Sequence, residues 1–405
     1  MIAEEVNPEN VRLAEIIVSI PSYNEADNIH FPTRKASQGL SEYFDPKKSV
    51  IINCDNHSTD GTKDAFLSTP TDVPKIYIST PEGVKGKGNN FKNLFQKAIE
   101  LQAKSIIVVD ADLKSITPQW IKRLGEPLQR DFGYVAPLYV RHKYDGTITN
   151  SIAYPLTRAL YGRRVRQPIG GDFGFSGELA KIYASSDTWN EAVSQFGIDI
   201  WMTTLAMNNS IPICQAFMGR PKVHKPKDPS SDLGPMFRQV VGTIFEMMTS
   251  FVEFWKAVKW SKPTSIFGFG LGEVELPPSV DVNRQRLYEN FANGFKASLD
   301  LWKEALSEQV FNKLEEIRSL DQDKFDFPTQ VWVKILFDMA VAFKNKVGGD
   351  PDALLDSIIP IYYGKTLSFV KKTERMSIQE AEEFIENEAM VFEETKPYLI
   401  ENWPD

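Results

Sequence analysis

The sequence predicts an α/β protein with a mostly parallel sheet, followed by a helical C-terminal lobe. In the first third of the chain, short apolar β-rich runs alternate with segments of helical character. This pattern is typical of βαβ units, in which helices cover a parallel sheet. The runs are continuously apolar, as expected for strands that are buried on both faces. After about residue 235 the pattern becomes helical.

The predicted elements of the first third follow in order. The expected strands are residues 16–20, 50–54, 75–78 and 105–109, and the expected helices are residues 28–44, 60–68 and 90–101. Thr117 and Pro118 predict a further helix start, because threonine is a frequent N-cap and proline favours the first turn. Residues 131–227 are less regular and mix short strands with glycine-rich turns.

The C-terminal lobe contains clear helix patterns. One stripe has apolar residues at spacings of three or four, namely Leu287, Phe291, Phe295, Leu299, Trp302 and Leu306. Helix starts are expected at Asp350-Pro351 and at Ser377, where Glu380 completes a capping box. We predict two domains, residues 1–234 and residues 235–405. The aromatic-rich lobe is expected to pack internally, with a homodimer or higher homo-oligomer as a second interpretation of its apolar residues.

Composition limits the class of protein. The chain has 405 residues, a net charge of -8 and a pI of about 5.3, so its overall charge does not attract nucleic acid or anionic membranes. Cys54 and Cys214 lie in short apolar stretches and are expected to be reduced core thiols. No stretch approaches the roughly 20 apolar residues of a membrane span, and the N-terminus does not resemble a signal peptide. We expect a cytoplasmic protein without a membrane or nucleic-acid partner.

The segment VVDADL is the strongest local signal for chemistry. Strand alternation would place Asp110 and Asp112 on the same side, and the carboxyl ends of parallel strands open onto the ligand crevice. Two carboxylates suit a hard divalent cation, which would neutralise a diphosphate. A bare Asp-x-Asp is common by chance, and either carboxylate could instead cap the following turn.

Three further polar segments follow predicted strands. IPSYNEADNI contains Tyr23 and Glu25, IINCDNHSTDGT contains Asp55, and PEGVKGKGNN places Lys85 and Lys87 among glycines before a helix. Backbone N–H groups at such a helix start, together with a lysine, favour phosphate. A loop of this composition is more often a flexible turn, so each segment alone is a modest signal.

Together and in this order, the four segments resemble the nucleotide-sugar domain of family 2-type glycosyltransferases of the GT-A fold. Those enzymes carry a P-x-Y-N-E start, a D-x-x-S-T-D-G-T segment, a Gly-Lys-Gly loop and a D-x-D motif, all of which occur within residues 16–112. The segments DADLKSITPQWI, VRQPIGGDFGFSG, FGIDIWMT and GRPKVHK resemble the mannosylglycerate synthases, and the related glucosyl-3-phosphoglycerate synthases share part of this pattern. The resemblance covers residues 16–228 by motif and implies that residues 1–234 form the nucleotide-sugar-binding and catalytic domain.

The resemblance implies a metal-dependent donor site. Mg²⁺ or Mn²⁺ would be held by Asp112 and His224, while Asp110 would contact the ribose or a metal-bound water. The implied residues of the nucleotide-sugar site are Pro21, Tyr23, Glu25, Asp55, Lys87, Asp110, Ala111, Gln167, Ile169, Gly170 and Gly171. Asp172 stands where these enzymes usually have Glu, which leaves its contact with the sugar open.

The resemblance also implies an acceptor site and a reaction. Arg141 and Thr149 match positions that bind the glycerate carboxylate, and Asp199 would hold sugar or acceptor hydroxyls near the reacting carbon. Asp199 and Asp112 are the implied catalytic residues. The implied activity is retaining transfer of a hexosyl unit from GDP-mannose, GDP-glucose or UDP-glucose to D-glycerate or a similar small hydroxy acid. Four arginines allow two interpretations, a solvated helix end or a docking site for a carboxylate or phosphate: Arg158, Arg163, Arg164 and Arg166.

Several alternatives stay open at the level of sequence. The acceptor could be 3-phosphoglycerate, a polyprenyl phosphate or a polysaccharide, although the missing membrane helices disfavour the lipid. A sugar-nucleotide pyrophosphorylase would need a Gly-rich, Arg-containing start, and SIPSYNEADNI stands in its place. A non-catalytic binding protein is disfavoured by the intact Asp110, Asp112, Lys87 and His224.

Overall fold

The computed structural model describes residues 2–223, 234–268 and 275–404. Within these ranges, strands form one sheet of nine: Glu4–Val6 (β1), Ile16–Ser22 (β2), Ser49–Asp55 (β3), Lys75–Ser79 (β4), Ser105–Val108 (β5), Tyr134–Leu138 (β6), Phe173–Ser176 (β7), Ile213–Phe217 (β8) and Ser265–Phe267 (β9). The strand order is β1-β4-β3-β2-β5-β7-β6-β8-β9. Most neighbours are parallel, and the antiparallel pairs are β1/β4, β5/β7 and β6/β7. The predicted α/β class with a mostly parallel sheet is confirmed.

Helices make up much of the rest of the described chain. They are His30–Tyr43 (α1), Thr62–Ser68 (α2), Lys87–Glu100 (α3), Pro118–Gly125 (α4), Tyr154–Tyr161 (α5), Gly177–Ser185 (α6), Glu191–Ser194 (α7), Ile198–Asn208 (α8), Gly234–Ser250 (α9), Val252–Ala257 (α10), Arg284–Ala305 (α11), Glu308–Arg318 (α12), Thr329–Lys344 (α13), Pro351–Thr373 (α14) and Ile378–Asn402 (α15). Ser377 and Glu380 form the predicted capping box at the start of α15. The predicted helical character of the C-terminal part is confirmed.

The chain divides into two compact units. The first comprises Met1–Val140, Val165–Pro226 and Thr264–Pro277, and the second comprises Arg141–Arg164, Lys227–Pro263 and Pro278–Asp405. The predicted first domain includes residues 141–164, whereas the structure groups this segment with the C-terminal helices. The reason is packing, because Tyr154 belongs to an apolar cluster with Phe369, Ile385 and Ala389. The division at residue 234 itself stays a prediction.

The parallel strands of the first unit position its polar loops. Every residue of β2 and β3 is buried, which accounts for their continuously apolar sequences. The two strands are in register, with Ser22 opposite Asp55 at their carboxyl ends. Because β4 and β5 run parallel to them, the loops after all four strands open at the same edge of the sheet. Ligands of open α/β sheets bind at this edge.

Two further expectations concern thiols and membranes. Cys54 and Cys214 are free and buried, as predicted. Burial raises the pKa of both thiols to about 12, so neither forms a reactive thiolate near neutral pH. Within the described ranges, none of the helices combines the length and the apolar character that a membrane crossing needs.

Candidate active site

A group of charged side chains lies at the carboxyl edge of the sheet in the first unit. We call it the ionic cluster; its members are Lys87, Asp110, Asp172, Asp199 and Lys222. Lys87 Nζ lies 3.1 Å from Asp110 Oδ1 and 3.3 Å from Asp199 Oδ1. Lys222 Nζ lies 2.6 Å from Asp110 Oδ2 and 3.0 Å from Asp172 Oδ2. Asp110 is therefore held between two ammonium groups, one at each carboxylate oxygen.

Asp110 and Asp112 occupy a turn, so the expectation that they share one side of a strand is wrong. β5 ends at Val108, and the chain turns at Ala111 and Asp112. The Asp110 N–H leaves the sheet ladder and donates to Asp172 Oδ1 at 2.9 Å. Strand alternation therefore does not set the directions of the two carboxylates.

Two glycines bring Lys87 to Asp199. Lys87 is the first residue of α3, which begins three residues earlier than the predicted residue 90. A Cβ on Gly88 would lie 1.9 Å from the Val193 carbonyl oxygen, and the Gly88 N–H donates to the Gln195 carbonyl at 3.1 Å. Gly86 has a φ of 119° and would meet a similar clash. The Gly-Lys-Gly sequence thus allows α3 to begin directly against the turn that precedes α8, where Asp199 lies.

Lys222 is a member of the cluster that sequence reasoning missed. Its ammonium group donates to the Gly170 carbonyl at 2.9 Å in addition to its two carboxylate contacts. It also lies 5.6 Å from the centre of the Tyr139 ring. Its signal in the sequence is its place in GRPKVHK, two residues before the predicted metal ligand His224.

The Asp172 carboxylate contacts other protein groups. It is fully buried, and it accepts hydrogen bonds from the Asp110 N–H and the Tyr139 hydroxyl. It also forms an ion pair with Lys222. Burial raises the pKa of Asp172, and the charge of Lys222 offsets only part of this increase. Asp172 therefore holds loops of the site together in this structure.

The lysines set the protonation of the cluster. Burial alone would raise the pKa of Asp110, but the charges of Lys222 and Lys87 outweigh it and hold this pKa well below its ordinary value. Burial would lower the pKa of Lys87, but Asp110 and Asp199 outweigh it and raise this pKa. Asp110 and both lysines are thus charged at neutral pH. Burial raises the pKa of Asp199, against the influence of Lys87.

The QPIGG turn lies beside the cluster through its glycines. A Cβ on Gly171, whose φ is 88°, would lie 2.6 Å from Lys222 Nζ and 2.7 Å from Asp110 Oδ2, so only glycine fits. Gln167 fixes the turn by accepting from the Tyr139 N–H and donating to its carbonyl, at 3.1 and 3.2 Å. Ile169 is half-buried. The structure therefore brings Gly170 and Gly171 to the cluster.

Asp112 is the predicted metal ligand that the described part of the chain contains. Hard divalent cations prefer carboxylate oxygens, and Asp112 is half-buried with no hydrogen bond or ion pair to the described part of the chain. Its donor type therefore fits Mg²⁺ or Mn²⁺. Among the residues that the structure describes, no three His, Cys, Asp or Glu side chains form a ready metal site. His224, the other predicted ligand, lies outside the described residues.

The predicted nucleotide residues on β2 and β3 are buried. Pro21 belongs to β2. Asp55 ends β3 and is fully buried, with hydrogen bonds to its carboxylate from Ser22 Oγ at 2.6 Å, Tyr77 OH at 3.1 Å and both the N–H and Oγ of Ser58. Its contact with a nucleotide stays a prediction, and in this structure its carboxylate fixes the ends of β2 and β3 together.

Other predicted nucleotide residues flank the same edge. Tyr23 is 41% exposed, and Lys85 Nζ lies 4.7 Å from the centre of its ring. The Glu25 carboxylate accepts from Asn28 Nδ2 at 2.6 Å. Ala111 is buried in the turn after β5. Tyr23 therefore presents an accessible ring at this edge, and the nucleotide contacts of all these residues stay predictions.

The predicted acceptor residues Arg141 and Thr149 belong to the second unit and lie close to each other. A Cβ on Gly146 would lie 2.6 Å from Arg141 Nη1 and 3.6 Å from Thr149 Oγ1. Arg141 Nε is 3.9 Å from Asp145 Oδ2, and Thr149 is buried at the start of a π-helical turn. The guanidinium and the hydroxyl thus both lie near the same point beside Gly146, and their binding of the acceptor carboxylate stays a prediction.

Two of the four arginines, Arg158 and Arg164, donate to the same acceptor, Ser261 Oγ. Arg158 is neither on a solvated helix end nor in a docking site for an anion. It is buried and forms ion pairs with Glu386 and Glu393 in the second unit. Arg164 Nε donates to Ser261 Oγ at 2.9 Å, and Arg163 is exposed. Arg158 therefore has a structural role.

Part of the chain is similar to a known protein family and to a curated protein. The model of Glycosyl transferase family 2 matches residues 17–177. Mannosylglycerate synthase of Rhodothermus marinus is 25% identical over 211 residues, which are 48% of this chain and 52% of that protein. The chain thus spans about half the length of this curated relative.

Solved structures with a detectable likeness include glucosyl-3-phosphoglycerate synthase from Mycobacterium tuberculosis. Its complex with Mn²⁺, UDP and glucosyl-3-phosphoglycerate has a TM-score of 0.46 and 23% identity, covering 58% of this chain and 80% of that one. Its complex with Mg²⁺ and UDP has the same score and identity, covering 58% and 79%. The family match thus makes residues 17–177 of this chain similar to a glycosyl transferase family 2 domain.

Proposed function

We propose that the protein is a retaining, metal-dependent glycosyltransferase that moves a hexosyl unit from a nucleotide sugar to D-glycerate or a similar small hydroxy acid. One observation carries the proposal: the ionic cluster lies within and beside a family 2 domain, at the sheet edge where such folds bind ligands. The similarity to mannosylglycerate synthase over 211 residues supports this acceptor class. Retention of configuration is proposed from the same resemblance.

The donor diphosphate would bind at the ionic cluster. Lys87 carries its charge at the first turn of α3, where the helix dipole also favours a negative charge. A bound Mg²⁺ or Mn²⁺, held by Asp112 and His224, would stabilise the departing diphosphate. The backbone of Gly170 and Gly171 would line the phosphates, since glycines leave room for close approach.

Asp199 would orient hydroxyl groups near the reacting carbon. Its carboxylate is held by Lys87 at 3.3 Å, which fixes its position beside the proposed diphosphate site. The raised pKa of Asp199 reflects burial, and the ion pair with Lys87 opposes this increase. A retaining transfer does not need this carboxylate as a base, so orientation is the role that we propose for Asp199.

Arg141 and Thr149 would bind the carboxylate of the acceptor. A guanidinium binds carboxylate and phosphate in the same bidentate manner, so 3-phosphoglycerate is the alternative acceptor. An Arg141→Met variant would raise the KM for the acid while leaving donor affinity unchanged. Equal loss of donor affinity would contradict this assignment.

The test is release of nucleoside diphosphate by the purified chain. GDP-mannose, GDP-glucose and UDP-glucose would each be supplied with Mg²⁺ or Mn²⁺ and with D-glycerate or 3-phosphoglycerate. Release that requires one acid and is lost with a chelator would establish the activity and name both substrates. Acceptor-independent release would contradict the acceptor class, and the absence of both release and donor binding would contradict the catalytic function. Homo-oligomerisation and a cytoplasmic location stay predictions.

A further inference from the structure

Lys222 is a buried lysine with several polar contacts, and the proposed function gives it no role. Its side chain is 5% exposed. The ammonium group has three N–H donors and three oxygen partners within 3.0 Å, on Asp110, Asp172 and Gly170. Asp110 lies in the turn after β5, Gly170 and Asp172 both lie in the QPIGGD segment that precedes β7, and Lys222 itself follows β8. Lys222 therefore lies where three loops of the proposed donor site meet.

The arrangement of the two lysines matches the needs of a diphosphate. Lys87 and Lys222 flank the Asp110 carboxylate, one at each oxygen. An anion between two ammonium groups is also how a phosphate is bound by lysines, which act as point charges. The two lysines contact three carboxylates, those of Asp110, Asp172 and Asp199, which hold both ammonium groups in place before any anion enters.

We propose that Lys222 is a second diphosphate-binding residue of the donor site, acting together with Lys87. On donor binding, Lys222 Nζ would exchange one of its present acceptors, Asp110 or Gly170, for a phosphate oxygen. This inference rests on the proposed function, because it requires a nucleoside diphosphate at the ionic cluster.

Asp172 and Tyr139 would keep Lys222 in place during this exchange. Asp172 is fully buried, and its second oxygen is held by the Asp110 N–H. The Tyr139 hydroxyl donates to the oxygen that faces Lys222, and the Tyr139 ring lies 5.6 Å from the ammonium. Asp172 is therefore a positioning residue for Lys222 and not a sugar contact. The ammonium keeps one anchor while it changes another partner.

The competing explanation is that Lys222 only holds the loops together. The two roles differ in which part of a nucleotide they affect. A diphosphate-binding lysine contributes to affinity only when phosphates are present, whereas a lysine that holds loops together affects the whole site. Affinities for a nucleoside, its monophosphate and its diphosphate therefore separate the roles.

The experiment compares the full chain with Lys222→Met, which keeps an unbranched side chain and removes the charge. Lys114→Met is the matched control, since Lys114 is exposed near the same turn and loses the same charge. Binding of guanosine, GMP and GDP, and of the uridine series, would be measured by calorimetry in chelator and again with Mn²⁺. We expect Lys222→Met to lower diphosphate affinity at least about tenfold, as for loss of a hydrogen bond to a charged group. Nucleoside affinity and the control would stay within about twofold.

Each other outcome would overturn the inference. Unchanged diphosphate affinity in Lys222→Met, with nucleotide-dependent transfer intact in the wild type, would reject Lys222 and leave the proposed function standing. Equal loss of nucleoside and diphosphate affinity, in this variant and in Lys222→Gln, would assign a structural role. A wild type that binds neither GDP nor UDP would reject the proposed function together with the inference.

Discussion

Each unit of the chain contains a group of buried ion pairs, and the central ion pairs of the two groups differ in their exposure to solvent. In the second unit, Arg158 pairs with Glu386 and Glu393, and Glu393 also accepts from the N–H and Oγ of Ser261 at 2.9 and 2.7 Å. The side chains of Arg158 and Glu393 are 2% and 5% exposed. In the first unit, the paired Lys87 and Asp110 are 17% and 24% exposed.

The difference teaches how to recognise a site among buried charges. Buried ion pairs contribute little net stability, because desolvation offsets their attraction. The Arg158–Glu393 pair is closed by protein donors and holds helices together, while Glu386 at its edge is 41% exposed. The ionic cluster of the first unit keeps part of Lys87 and Asp110 accessible, so a ligand can reach charges that the protein has already fixed.

The largest expected effect is on stability in the second unit. Arg158→Met would leave Glu393 buried without its cation, and we expect the free energy of unfolding to fall by about 3–5 kcal/mol. Urea unfolding of this unit would measure it, with Arg158→Lys as a control that keeps the charge. Affinity of the folded protein for GDP or UDP would not change. A variant as stable as the wild type would remove the structural half of the comparison.

Asp112→Asn should lower activity and leave stability unchanged, which is the reverse of the effect expected for Arg158→Met. Loss of this proposed metal ligand should reduce transfer about 10²–10³-fold, as for other groups that stabilise transition-state charge. The melting temperature should stay unchanged, because Asp112 makes no ion pair to the described residues. Asp187→Asn, an exposed substitution in the same unit, is the control for both assays. Near-normal transfer by Asp112→Asn would refute the metal assignment.

Substitutions at Gly88 and Gly83 test whether the position of Lys87 depends on the close contact between Gly88 and the Val193 carbonyl. Gly88→Ala should lower the free energy of unfolding by about 1–3 kcal/mol, because its Cβ would meet the Val193 carbonyl. It should also weaken GDP or UDP binding, since Lys87 must move. Gly83 has a φ of 81°, and a Cβ there would have no neighbour within 4 Å. Gly83→Ala should therefore lower the free energy of unfolding by only about 1–2 kcal/mol, through backbone strain alone. Equal binding losses in the two variants would contradict the contact argument.

The smallest expected effect is a pH dependence from Lys396 in the second unit. Burial lowers the pKa of Lys396 to about 8, although Glu393 opposes this decrease. Between pH 8 and 10.5 the unfolded chain binds a proton that the folded chain has released, so stability from this group rises with pH. The neutral amine still has two N–H groups for the Ala159 and Val258 carbonyls.

The measurement compares unfolding free energies of the wild type and Lys396→Met at pH 7.5 and pH 10. We expect the difference to shift toward the wild type at the higher pH. Lys303→Met, at an exposed position of the same unit, should show no such shift. A pH-independent difference for Lys396→Met would show that Lys396 titrates like an exposed lysine.

Local patterns predicted the strands and helix starts well, because they depend on neighbouring residues. The four strands predicted before residue 110 fall within two residues of β2, β3, β4 and β5. The early start of α3 was missed, since Gly86 and Gly88 serve a distant turn that no local pattern shows. The antiparallel β7 and the grouping of residues 141–164 with the second unit also depend on contacts between distant segments.

The candidate site was predicted in part for the same reason. Motifs identified Lys87, Asp110 and Asp199 as site residues, and the structure brings them together. Lys222 contacts Asp110 across 112 positions of sequence, a pairing that spacing cannot reveal. The expected strand geometry of Asp112 failed because the chain turns directly after β5.

The ends of the segment that matches the family model, residues 17 and 177, would be poor ends for an expressed fragment. Residues 17–177 contain Lys87, Asp110 and Asp172 but not Lys222. A fragment with these ends would lack β1 and β8, which leaves β4 and β6 as unprotected edges that favour aggregation. It would also leave Asp172 buried without a cation. Expression of this domain alone should therefore extend at least beyond Lys222.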